Sequence, residues 1–179
     1  MTSHIALLHS ITIGGGRRLV MADWRAMMEA IGLRRPRTLI ATGNASFESD
    51  EAVIGRLEER LETAFAQSFG RHVDTIVKST AHWRRLTAGN PFPEEAERDH
   101  RRVVVRVMRE PLDEAAIAAL TPYATQGERL KIADGHLWIH FEQDPVGSRL
   151  VYQLTTKRLG VGTIRAWSTV RRLNEMIAA

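Results

Sequence analysis

The feature that most constrains this chain is an order of elements that runs through its first half and then starts again. Residues 4–13 form an apolar strand, and Trp24, Met27, Met28 and Ile31 recur at helical spacing over 21–31. "RTLIA" and "ASFES" then flank Thr42-Gly43-Asn44, a connection short enough to close a hairpin. Residues 50–69 give the clearest helix, with Val53, Ile54, Leu57, Leu61, Ala64 and Phe65 in one stripe, Asp50 as the expected cap and Gly70 as the stop. "HVDTIVKS" supplies a fourth strand.

After a helix over 80–88 and the loop "GNPFP", the order begins again with the strand "RRVVVRVMRE" and the helix "LDEAAIAAL". "ERLKIA" and "HLWIHF" are joined by Asp134-Gly135, a strong two-residue hairpin signal. Helices are expected over 147–159, on Leu150, Val151 and Leu154, and over 168–178, on Val170, Leu173 and Ile177. The strand that should separate them is weak or missing around "GVGTIRAW". The pattern implies an α+β protein: a tandem repeat of two ferredoxin-like βαββαβ units, each an antiparallel sheet with helices on one face. The expected units are 1–79 and 102–179, the latter with a C-terminal helix, connected by the helix and loop of 80–101.

Composition narrows the chemistry. At 179 residues with 44% hydrophobic and 26% charged, the chain suits one compact domain or two small ones. It has no cysteine, which removes disulfides, iron–sulfur clusters, thiolate zinc sites and a cysteine nucleophile. The opening "HIALLHSITI" follows no basic residue and precedes no small-residue cleavage site, so a signal peptide is not expected. No apolar run approaches the ~20 residues of a membrane span, and the expectation is a cytoplasmic protein with no membrane partner.

The basic charge is local. Residues 145–179 hold Arg149, Lys157, Arg158, Arg165, Arg171 and Arg172 against Glu175 alone, in a chain whose net charge is +4. Beside Tyr152 and Trp167, that excess could meet an anion or a nucleic acid backbone. Arginine outnumbers lysine 22 to 3, so a codon bias of the source genome also accounts for it.

"IALLHSITIGGG", "TGNASF", "NPF", "SRL" and "RLGVGTIRAWSTVRRL" resemble, in order and over nearly the whole chain, the bacterial domain-of-unknown-function 1697 family. The family's usual pattern is LLRGINVGG, SGNVVF, NPF, and SKL leading to TRNWxTV. The resemblance implies tandem ferredoxin-like folds and carries no established activity. His9, Ser10, Thr12 and Ala166 stand where the family usually has Arg, Gly, Asn and Asn, so a site shared at those positions would be altered here.

Several residues are candidates for chemistry. Gly14, Gly15 and Gly16 precede Arg17-Arg18-Leu19, which matches neither a P-loop nor the dinucleotide fingerprint. They form either a plain turn or a donor-rich loop whose two guanidiniums grip an anion. Thr163, Arg165, Trp167 and Thr169 follow the family pattern, and an Arg–Trp loop ahead of a helix offers a cation, a flat ring and backbone donors. Alternatively, Trp167 packs on the sheet and Ser168 caps the helix.

His136, Trp138, His140 and Glu142 alternate on one strand face, read as half-buried or exposed. His136 and His140 lie about 13 Å apart along a strand and cannot share one zinc ion. His9 shares a strand face with Ile5, Leu7, Ile11 and Ile13, as a core or rim residue or as a titratable group beside the glycine loop. No G-x-S-x-G elbow is present, and Glu58-Glu59 and Glu94-Glu95 read as surface charge. No metal site and no cofactor are expected.

The leading functional expectation is a binding module for a small phosphorylated or carboxylated ligand, or a nucleic acid backbone, using Gly14, Gly15, Gly16, Arg17, Arg18, Arg165 and Trp167. Nucleic acid is the weaker branch, because "HIALLHSI" and "VVVRVM" lack the aromatic residues that RNA-binding sheets stack on bases. The alternatives are an enzyme acting on a small anionic metabolite, with His9 as acid or base, and a structural protein that uses sheet edges to oligomerise.

Overall fold

The computed structural model describes residues 1–178. These residues form an α+β architecture of two four-stranded antiparallel sheets and seven α-helices. The chain divides into two compact units: Met1–Arg84 together with the residues from Arg172 on, and Arg85–Arg171. No helix among the described residues is long and apolar enough to cross a membrane.

In the first unit β1 (Thr2–Leu8), α1 (Met21–Ala30), β2 (Arg34–Thr38), β3 (Asn44–Ser49), α2 (Ile54–Phe69) and β4 (Thr75–Ser79) follow in turn, and α3 (Thr80–Ala88) comes directly after. The sheet order is β2-β3-β1-β4. Alternation along the strands sorts the side chains. Ala6, Leu8, Ala45, Phe47 and Val77 pack with Trp24, Met28, Leu57, Leu61 and Phe65 of α1 and α2. Ile5, Leu7 and Ile76, on the other face, are also fully buried. Each such side chain contributes roughly 1.5–3 kcal/mol of transfer free energy.

Three boundaries in this unit differ from the sequence expectation. β1 stops at Leu8 rather than continuing to 13, because residues 11–19 fold on themselves: the Ile13 N–H donates to Arg17 O and the Leu19 N–H to Ile11 O, both at 2.8 Å. β2 lies at 34–38, earlier than "RTLIA", and its Pro36 is tolerated because this is an edge strand with no ladder bond to lose on its open side. Asp50 does not cap α2. Its carboxylate meets the N-terminal ammonium at 3.4 Å, while the Glu51 carboxylate accepts the Val53 N–H at 2.8 Å in a turn that delays the helix to Ile54. Gly70 ends α2 in the left-handed region, φ 70°, as expected.

The second unit contains α4 (Pro93–Arg98), β5 (Val103–Met108), α5 (Glu114–Leu120), β6 (Arg129–Ala133), β7 (His136–His140), α6 (Thr156–Leu159) and β8 (Gly162–Ala166), and α7 (Trp167–Ala178) starts from it. Its sheet order, β6-β7-β5-β8, repeats the first. Asp134 and Gly135 both adopt positive φ, 50° and 77°, as the expected tight hairpin demands. Asp113 caps α5 through a bond from the Ala115 N–H.

Two expectations are corrected here. The last strand is present: β8 pairs with β5 at five positions, from Val104↔Ala166 to Met108↔Gly162. Its sequence hid it because Gly162 is needed by a close approach, a Cβ there lying 2.7 Å from Met108 Sδ and 2.9 Å from Val107 O. The helix expected over 147–159 is instead one 3-10 turn, Val151–Gln153, followed by the single turn of α6. The buried Arg106 guanidinium takes the Leu154 and Gly160 carbonyls at 3.1 and 3.0 Å, so the segment satisfies its backbone without a continuous helix.

Candidate functional site

The expected ligand-binding residues fall into two groups. Gly14–Gly16 form one 3-10 turn in the first unit, with Gly15 and Gly16 at φ 71°. A Cβ on Gly14 would stand 2.9 Å from Phe69 O, so this glycine is required by packing against the end of α2. Arg17 and Arg18 are exposed and turned onto carbonyls, Arg17 Nε to Gly14 O at 3.3 Å and an Arg18 guanidinium nitrogen to Ala41 O at 3.0 Å. Arg165 and Trp167 belong to the second unit. Arg165 is buried on β8, donating to Thr163 Oγ1 at 2.7 Å and Ile164 O at 2.9 Å, and burial draws its pKa down to about 10. Trp167 opens α7 half-buried, its ring tilted against Trp138 at 5.9 Å.

His9 lies past the end of β1 and is exposed, so it is not a core residue. Its neighbour at the strand's other end, His4, is the buried one, stacked on Phe47 at 5.4 Å with its pKa lowered by burial. The face bearing His136, Trp138 and His140 is likewise buried, contrary to the half-buried or exposed expectation. An antiparallel strand whose two faces are both covered still alternates, so period alone did not reveal it.

That buried face ends in a constellation of charges. His140 closes β7 directly opposite Arg129 of β6. The Arg129 guanidinium donates to Glu95 of α4 and lies 3.3 Å from His140 Nδ1. Its carbon stands 5.2 Å over the Phe92 ring, with Lys131 Nζ 5.1 Å from the same ring. Arginine cannot accept, so the neutral His140 accepts at Nδ1 and carries its proton on Nε2.

Around this pair is a crevice of about 150 Å³ lined by Glu95, Arg98, Asp99, Arg102, Arg129 and His140 among others. Burial lowers the His140 pKa, the Arg129 charge adds to this, and Glu95 opposes it. The hydrogen bond from Arg129 holds the Glu95 carboxyl low. On the rim, Arg101 holds Asp99 down to about 2. A neutral imidazole against fixed guanidiniums can receive an anion and, on protonation, hold it harder.

The Glu-Glu pair at 94–95 thus splits: Glu94 pairs with Arg98 on the surface at 3.8 Å, while Glu95 faces the crevice. The alternation of His136 to Glu142 was the sequence signal for His140, and "NPF" for Phe92. Nothing local announced that Arg129 and Glu95, 34 residues apart, would meet.

One other cluster could hold a cation. Among the described residues, Glu62, His72 and Asp74 bring ligand atoms within 4.8 Å of one another. Loop contacts already engage them, His72 Nε2 to Asp74 Oδ1 at 3.0 Å and Glu62 Oε1 from the Thr75 N–H at 2.9 Å.

The family model described as "Protein of unknown function (DUF1697)" matches residues 1–138. The chain belongs to this family. The match to DUF1697 takes in Arg129 and ends within β7, two residues before His140. A solved structure of a conserved bacterial protein from Streptococcus pneumoniae is similar, with 24% identity, a TM-score of 0.75, and 98% of each chain covered. That likeness is one of fold. No curated protein matches the chain.

The DUF1697 landmarks have structural work in this member. Asn44 Nδ2 donates to Leu39 O and to Thr42 Oγ1, Asn90 Oδ1 accepts the Phe92 N–H, and the Ser148 hydroxyl donates to the buried Glu128. Each of these bonds ties a loop or turn in place.

Proposed function

We propose that this DUF1697 member is a binding module for small anions and that the anion sits in the crevice of Arg129 and His140. The observation that carries the reading is the Arg129 guanidinium set against the buried His140 imidazole in a crevice that Arg98 and Arg102 also line. At about 150 Å³ the crevice suits a phosphate or carboxylate group better than a nucleotide. Arg129 offers a planar donor pair for such a group, and Glu95 is the carboxylate it displaces. This position is preferred to Gly14–Arg18, where both guanidiniums bond carbonyls of their own unit, and to Arg165, which is buried. Each unit is read as ferredoxin-like, a reading supported by the strand order that both sheets share.

The test is to follow the His140 ring by NMR while inorganic phosphate is added. A bound anion favours the imidazolium, so the His140 pKa should climb from its lowered position and saturate, and Arg129→Ala should abolish the climb. A His140 titration indifferent to phosphate overturns the assignment. A nucleic acid backbone would instead give an affinity falling about one power of salt per phosphate neutralised.

The same imidazole supports a second reading, an enzyme acting on a small anionic metabolite with His140 rather than His9 as acid or base. Full turnover by His140→Ala in a metabolite screen would remove it.

A further inference from the structure

The first unit has its own crevice, of about 310 Å³, where β1 begins and β3 ends. Ser3, Arg35, Arg37, Ser46, Glu48 and Ile177 line it. We infer that this crevice is a second binding site, for a small phosphate or carboxylate that carries a hydrogen-bond donor elsewhere on the same molecule.

Ser46 is the key observation. It is only 4% exposed, yet among the described residues its hydroxyl has no hydrogen-bond partner, although it lines an open cavity. The hydroxyl is thus held in place by a buried residue while its oxygen faces the cavity, where a ligand oxygen can bond it. Arg37 stands directly opposite Ser46 in the β2–β3 ladder. One of its guanidinium nitrogens is fixed on Met176 O at 2.6 Å, which orients the group and leaves further donors for a ligand.

Arg35 adopts φ 48°, a left-handed conformation that costs a non-glycine residue energy, at a slip in register between Arg34 and Arg37. Such irregularities re-aim side chains, and this one sets Arg35 against Glu48 at 3.4 Å. The two arginines and the hydroxyls of Ser3 and Ser46 suit an anionic oxygen group. Glu48 disfavours a bare polyanion and accepts from an ammonium or hydroxyl. The volume is at the small end of ligand sites, which fits a compact metabolite.

Titration calorimetry of the full chain with O-phosphoserine, and with inorganic phosphate for comparison, tests this. Phosphoserine should bind saturably and about tenfold more tightly than phosphate, with Ser46→Ala and Arg35→Ala each weakening it about tenfold. Glu48→Gln should erase the preference for phosphoserine while phosphate still binds. These titrations are run in an Arg129→Ala background, which removes the phosphate site proposed for the second unit, so the binding read belongs to this crevice. Ser46→Ala removes a single oxygen, so its effect on binding is not a failure to fold. No saturable phosphoserine binding in that background by about 10 mM overturns the inference, as does binding there that survives both Ser46→Ala and Arg35→Ala.

Discussion

The two units present the same corner of the same sheet with different occupants. Ladder registers align them position by position. Ile5, Ser46 and Arg37 in the first unit correspond to Val105, Trp138 and Lys131 in the second, and the Arg34–Glu48 pair corresponds to Arg129–His140. Where the first unit has a serine hydroxyl and an open crevice, the second has a fully buried indole. The smaller cavity beyond that indole is bounded by a histidine in place of a glutamate. One backbone arrangement therefore yields two kinds of recess, and side-chain volume at one register position largely decides which.

The largest expected effect comes from emptying the filled corner. Trp138→Ala should lower the free energy of unfolding by about 3–5 kcal/mol, because a fully buried indole leaves a cavity the sheet cannot collapse. Ser46→Ala at the matching position should shift stability by less than about 0.5 kcal/mol. Urea denaturation of both variants checks the contrast. Equal losses would mean that the corners are not packed differently.

The next effect tests a second aligned pair, Gly162 of β8 against Thr75 of β4, which pair with Met108 and Leu8 respectively. Thr75 is fully buried with its side chain accommodated. At Gly162 a Cβ meets Met108 Sδ, the Val107 carbonyl and Arg106 Nε, the last at 3.1 Å. Arg106 corresponds in register to Ala6, so Met108, the Val107 carbonyl and a buried arginine together fill the room a threonine uses in the other unit. Gly162→Ala should cost about 1–3 kcal/mol. Thermal unfolding unchanged by that substitution would contradict the close approach.

These pairs also show what the sequence could and could not convey. The doubled order of strands and helices was readable because periods of 2 and 3.6 belong to local chain geometry, and Asp134-Gly135 and Gly70 announced their turns for the same reason. β8 and the broken segment at 147–160 were not readable. One depends on a glycine that answers to Met108, and the other on Arg106, whose carbonyl partners lie 48 and 54 residues away. The candidate site fared likewise. His140 lay in a noticed alternation, but its value comes from Arg129 and Glu95, which only the fold brings to it. The glycine loop, conspicuous in sequence, is a 3-10 turn in which only Gly14 packs against the end of α2.

The smallest expected effect concerns pH, where the corners differ in charge type. Burial lowers the pKa of His140 below its ordinary 6.5, with the Arg129 charge assisting. The unfolded chain therefore takes up a proton that the folded chain resists. Stability from this residue is intact above pH 6.5 and is lost as pH falls through that value, levelling off once the folded form protonates too. His4 is lowered by burial in the first unit and acts in the same direction, so His140→Asn should flatten only part of the decline between about pH 7 and 5. Adding inorganic phosphate should flatten the same part in the unsubstituted protein, because an anion beside the imidazolium offsets its burial cost. Urea midpoints measured across that range, with and without phosphate, give both comparisons. A decline that phosphate leaves untouched while His140→Asn reduces it would keep the buried histidine and remove the anion from its crevice.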